Sequence, residues 1–189
     1  MFLRKAALRP VPPYAVVSSD VIESVEATLE EDDAALQDTL DRGYADLDRR
    51  QVALGTWMAE KLALSSDELV QSLGYFLTVT IYLAFREAFP TRLEEVDQGA
   101  IDIANAMLEV DEELRASDPT EILDSDDVLA MSQPALLSYM QHHVHEALDQ
   151  SGGEVNLEQL DDVYRSLLVL IIALSHAVNS PSGERPALD

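Results

Sequence analysis

The chain has no cysteine. That excludes disulfides, cysteine-ligated zinc, iron–sulfur clusters and cysteine nucleophiles, and it fits a reducing cytoplasm. Glycine and proline are scarce, with seven and eight among 189 residues, and long stretches lack both. A turn-rich β fold needs more of them, so their scarcity favours helices. Positive charge is the most depleted feature. Twelve Lys and Arg face 36 Asp and Glu, a formal charge of −24, and Lys5 and Lys61 are the only lysines. Arg4, Lys5 and Arg9 sit at the start, so the body is more acidic still. A phosphate backbone requires a basic surface, which disfavours direct nucleic-acid binding, and anionic membranes are disfavoured for the same reason. Two readings of the acidity stand. It faces a basic protein partner or mimics a polyanion, or it serves solubility alone, as in a salt-rich cytoplasm. Nucleophile elbow, phosphate loop, dinucleotide fingerprint and kinase signature are all missing. The chain therefore reads as a cofactor-free binding protein rather than an enzyme, and as cytoplasmic.

What the chain does have is apolar material for one good core, at 47% of residues. The run RSLLVLIIALSHAV (165–178) is its densest part. A membrane span needs about 20 mainly apolar residues. The sixteen from Val163 to Val178 are too few and include Arg165, Ser166, Ser175 and His176. Upstream, Leu157, Leu160, Val163, Tyr164 and Leu167 recur at three and four, the helix period. One helix is expected over about 156–178, capped by Asn156 and buried nearly all round. A second of the same character is expected over about 67–89, after a Ser65–Glu68 capping box and before Pro90. At the start, MFLRKAALRPVPPYAVVSS is no secretory signal, because Arg9, Pro10, Pro12 and Pro13 interrupt the apolar region.

The two apolar helices resemble each other. At a shift of 89, Tyr75 meets Tyr164, Ala84 meets Ala173 and Ala88 meets Ala177. QVALGTWM (51–58) resembles QPALLSYM (133–140) at a shift of 82, and VIESVEATLEEDD (21–33) resembles AIDIANAMLEVDE (100–112) at 79. The matches are collinear, and the shifts grow in small steps that short loop insertions explain. The expectation is therefore an all-α protein, a six-helix bundle built from two similar three-helix halves by internal duplication. The helices fall at about 20–38, 50–63 and 67–89, then 92–115, 133–149 and 156–178. Segments 39–49 and 117–132 act as connectors, and the two apolar helices form the centre. An extended arm (1–18) precedes a single helical domain (19–180, halves about 20–90 and 91–180), and a flexible tail (181–189) follows. Such an arm can pack on a neighbour, so a homodimer is compatible with it.

Several segments carry chemistry at first sight. In HHVHE (142–146), His142, His145 and Glu146 share a helix face, and imidazole with carboxylate can bind a divalent metal. The spacing is not that of the zinc proteases, and the simpler reading is a solvated face near a helix C-terminus, where His is favourable. DQSGGEVNLEQL (149–160) echoes a calcium loop, but it is a residue short and Gln159 stands where the bidentate Glu belongs. Acidic clusters occur at LEEDD (29–33), EVDEE (109–113) and DSDD (124–127). Charge runs are usually solvated, yet acid at 30–33 recurs at 109–112, which makes Glu30, Glu31, Asp32 and Asp33 with Glu109, Asp111, Glu112 and Glu113 a symmetry-related pair of clusters for a basic partner. Trp57 and Tyr139 are matched aromatics, either packed in the core or lining a pocket between the halves. The leading functional expectation is an adaptor or regulator acting by protein–protein interaction. The alternatives are a metal-binding protein or metal-dependent enzyme using HHVHE, and a small-molecule sensor with a pocket between the halves.

Overall fold

The computed structural model describes residues 9–30, 36–117, 129, 132–152 and 154–182, with the side chains of Glu30 and residues 114–117 outside that description. Among the described residues the regular elements are all helices. A 3-10 turn (Pro13–Ala15) precedes α1 (Ser19–Glu30), α2 (Leu36–Arg50), α3 (Val52–Ala63), α4 (Glu68–Ala88), α5 (Gln98–Ser117), α6 (Pro134–Gln150) and α7 (Leu157–His176). One isolated antiparallel bridge joins Leu93 to Val178.

This differs from the expected six helices in three places. Residues 39–49 are no connector but most of α2. That helix is strongly polar and buries only a narrow stripe, Leu40, Gly43, Asp46 and Leu47, so its sequence looks like a linker although its spacing is helical. The corresponding connector 117–132 lies largely outside the described residues. The helix expected from 92 begins at Gln98, because Leu93 is committed to the bridge with Val178 and the Asp97 carboxylate accepts the Ala100 N–H at 2.8 Å. The cap of α4 is Asp67 rather than Ser65: its side chain accepts from Leu69 and Val70 N–H. Asn156 caps α7 and accepts from Gln159 N–H at 3.1 Å.

The core centres on α4 and α7, which run parallel. Their N-termini touch, since Asn156 N–H donates to the Asp67 carboxylate at 2.9 Å. Seven residues further along each helix, Gly74 faces Val163 so closely that a Cβ on Gly74 would lie 2.7 Å from Val163 Cγ1 and 2.5 Å from Leu62 Cδ2. Glycine is needed there for the approach of the helices, not for an unusual backbone. The β-branched run in α4 is accommodated because the buried Thr78 and Thr80 hydroxyls donate to the carbonyls of Gly74 (2.7 Å) and Phe76 (2.9 Å) one turn back. By length and composition α4 could cross a membrane, a criterion that a core helix also meets, and Leu77, Val79, Ile81 and Phe85 are fully buried here.

Two buried glutamines hold the outer segments to this centre. Gln51 precedes α3 and Gln133 precedes α6, with the same backbone (φ −133°, ψ 57° and φ −132°, ψ 61°). Gln133 donates to the Ala15 carbonyl (2.7 Å) and accepts from Val17 N–H (3.0 Å). Gln51 donates to the Glu94 carbonyl (2.8 Å) and accepts from Val96 N–H (2.7 Å). The described part of the N-terminal arm is thus fastened to its own body, with Val11, Ala15 and Val17 in the core. Gln133 also donates to Ser175 Oγ at 2.9 Å. Replacing Gln133 by Ala removes all three bonds and leaves the buried Val17 N–H and Ala15 C=O unpaired, at about 1–3 kcal/mol for each such group. Gln133→Ala is therefore expected to lower the melting temperature and to speed hydrogen exchange at the Val17 amide well before α7 exchanges. Unchanged protection at Val17 would contradict the clamp.

Candidate functional site

The acidic residues proposed as partner contacts do not form one free surface. Glu31, Asp32 and Asp33 lie outside the described residues, as does the side chain of Glu30, which ends α1, and so does the cluster at 124–127. In the second cluster Asp111 is only 5% exposed, so it belongs to the interior of the bundle and not to a docking face. Glu112 is held by Arg165, whose Nε donates to both carboxylate oxygens at 3.0 and 3.2 Å. The guanidinium also lies 3.8 Å from Glu109. An acidic face that supplies its own arginine has less charge to offer a partner. Glu113 is exposed.

The histidine segment lies on α6. His142, His145 and Glu146 are exposed, and His145 approaches Asp149 at 3.6 Å. The residue that turns inward is His143, which packs edge-on against Tyr139 and Phe76 with centroids at 4.4 and 5.1 Å and lies 3.8 Å from Glu26. Among the described residues no three His, Asp or Glu side chains converge as a metal-ligand set.

Three of the twelve basic residues gather on a single carboxylate. Asp46, on the buried stripe of α2, accepts from the Tyr82 hydroxyl at 2.8 Å, from Arg49, and from Arg50 Nε at 3.1 Å, with Arg86 Nη1 at 2.5 Å. Burial pushes its pKa up, but the hydrogen bonds from Tyr82, Arg49 and Arg50 and the charge of Arg86 outweigh that and bring it down to about 2. The same contact raises the Tyr82 pKa, through burial first and then its bond to Asp46. The group ties α2 to the C-terminal end of α4.

The matched aromatics have different fates. Tyr139 is buried, as core packing requires. Trp57 lines a cleft of about 160 Å³ between α3, α5 and α7. Lys61, one turn on from Trp57, lies over the indole ring at 5.5 Å from its centroid. Arg165 and Asn105 form the opposite wall and are joined at 3.3 Å. Sequence reasoning missed both cations. The available signal was the i, i+4 spacing of Trp57 and one of only two lysines.

The joined N-termini of α4 and α7 make a further surface. Gln159 Oε1 accepts from Ser65 Oγ (2.7 Å), Ser66 N–H (2.9 Å) and Asp67 N–H (3.0 Å), so the α3–α4 turn is fixed to α7. The Asn156 N–H, with the N–H groups of Val70 and Leu69, holds the Asp67 carboxyl below its ordinary value. This junction brings Leu64 (78% exposed), Leu157 (66%) and Leu69 (40%) to one end of the bundle. Beside them a shallow apolar depression is lined by Leu69, Leu73, Leu148 and Val155. Exposed Glu68, Glu154 and Glu158 stand around it.

No known protein family matches the chain, and no curated protein or solved structure is significantly similar to it.

The Asp46 cluster has a pH signature. Its folded-state pKa is depressed, so the stability it contributes is fully present above the ordinary value near 3.8 and is lost as pH falls toward about 2. Asp46→Asn should cost about 1–3 kcal/mol at pH 7, the scale of a lost charged hydrogen bond in a partly buried site. The gap to the native chain should narrow as the pH is lowered through that window, measured by denaturant titration at each pH. A gap independent of pH would show that the charge of Asp46 is not what matters.

Proposed function

We propose that the chain is an acidic, cofactor-free helical binding protein that docks a basic protein partner on the end of the bundle formed by Leu64, Leu69 and Leu157. The observation that carries this reading is the exposure of three leucines at one end, where the N-termini of α4 and α7 meet. Protein interfaces have an apolar centre and a polar rim, and large exposed apolar side chains gathered together mark such sites. Here the rim carries Glu68, Glu154 and Glu158, which favours a partner with lysine or arginine around an apolar patch. Compared with the second acidic cluster, this end has the advantage that its carboxylates are not taken up by Arg165. A working compartment such as the cytoplasm, where the chain meets other proteins and not nucleic acid or membrane, belongs to the same reading.

The same proposal includes an origin by duplication. Its support is that positions paired by the shifts of 79, 82 and 89 do the same work. Gln51 holds Glu94 and Val96 as Gln133 holds Ala15 and Val17, each glutamine reaching into the other half. Asp67 and Asn156 cap the two central helices and touch each other. The N–H of Gln51 donates to Leu47 at 2.7 Å and that of Gln133 to Leu129 at 2.6 Å.

The test is a low-salt capture from native lysate with the intact chain and with the double variant Leu64→Asp, Leu157→Asp. Both side chains are exposed, so folding should be unaffected, as melting temperature will report. A basic protein that is retained by the native chain, released by moderate salt and lost with the double variant is the expected result. Equal retention by both would place the interface elsewhere and remove this reading.

A further inference from the structure

We propose that the cleft between α3, α5 and α7 is a binding site for a compact organic anion, with its single charge at Lys61 and its apolar body against Trp57, Val163 and Val169. The cleft adjoins the docking end, since Leu64, Ser65 and Gln159 line it, but its ligand and its test are distinct from those of the protein partner. This assignment rests on a comparison between the two halves of the proposed duplication. Under the shifts of 82, 89 and 79, Trp57 corresponds to Tyr139, Lys61 to His143, Arg165 to Phe76 and Asn105 to Glu26. In one half these positions make a closed cluster: the His143 ring is wedged between Tyr139 and Phe76, centroids 4.4 and 5.1 Å away, with Glu26 at 3.8 Å. In the other half the place of the Phe76 ring is taken by Arg165, which swings to Glu112 and Asn105 and leaves about 160 Å³ open. One fold position is thus plugged in one half and opened in the other.

The lining sets the class of ligand. The volume far exceeds the roughly 30 Å³ share of a water molecule and falls short of the roughly 300 Å³ at which drug-sized sites begin, so the occupant is compact. Among the described residues Lys61 makes no ion pair, and its ammonium lies over the Trp57 ring. A half-buried ammonium with only an indole beside it has donors to spare. Val163 and Val169 give the cleft an apolar wall. Asp162 stands on the rim and Arg165 is already matched by Glu112, so the local charge suits a monoanion and opposes a dianion.

Trp57 is the only tryptophan, so the intact chain reports on its own cleft. Benzoate is the probe, with benzyl alcohol and benzylamine as its neutral and cationic counterparts. Benzoate should change Trp57 emission saturably, and the two counterparts should bind about tenfold more weakly or worse, as loss of a charged hydrogen bond implies. Lys61→Met should weaken benzoate by a similar factor without moving the melting temperature. Arg165→Phe, which installs the residue of the paired position, should abolish saturable binding by closing the cleft. Linear quenching without saturation, equal affinity for all three compounds, or an unchanged benzoate affinity in Lys61→Met would each overturn the proposal. Lys61→Met keeps the test decisive if Arg165→Phe does not fold.

Discussion

The structure depends on the parallel pairing of α4 and α7. Two long helices side by side in the same direction bring two positive helix ends together, an arrangement that is unfavourable unless negative charge lies between them. The Asp67 carboxylate supplies it, since it caps α4 and also accepts the Asn156 N–H at the start of α7. Gln159 completes the junction by collecting three donors from the α3–α4 turn. From there the two helices separate only as far as Gly74 and Val163 allow. Every other element packs on this pair or is hung from it.

Parallel neighbours cannot be joined by a short turn, so the chain between α4 and α7 must travel the length of the molecule. After the bridge at Leu93–Val178, α5 runs from the C-terminal end of the pair toward Arg165, and α6 runs from Gln133, beside Ser175, to Leu148, beside Leu69 and Leu160. The glutamine clamps secure the extended entry into each part. They are buried polar groups whose amides both donate and accept, which makes them specific as well as stabilising: a shift of one residue would leave a donor and an acceptor unpaired in the core. Among the described acids, Asp46, Asp67, Asp97 and the pair at Arg165 contribute to this framework.

Acidity as a whole therefore has two separate roles. Among the described residues most carboxylates are exposed. A few are structural because they sit at helix ends or receive arginines. Two features stand apart from the acidic helix faces: the exposed Leu64, Leu69 and Leu157 at one end, and the cleft where Lys61 lies beside Trp57.

The sequence by itself determined the all-helical class, the two apolar central helices and the Asn156 cap, because helix period, scarcity of glycine and proline, and local capping chemistry are properties of neighbouring residues. It also contained the paired register of Gln51 with Gln133 and of Trp57 with Tyr139, as identical or similar residues at fixed shifts. It misjudged α2, whose buried stripe of Leu40, Gly43 and Leu47 is too narrow to stand out against its charges. Only tertiary structure decided which acids are free. Asp111 and Glu112 are adjacent in sequence, yet one is buried and the other pairs with an arginine 53 residues away. Only tertiary structure, again, decided that Trp57 lines a cleft while Tyr139 is enclosed. That difference arises from Arg165 and Phe76 on other helices, and no local pattern in α3 or α6 carries it.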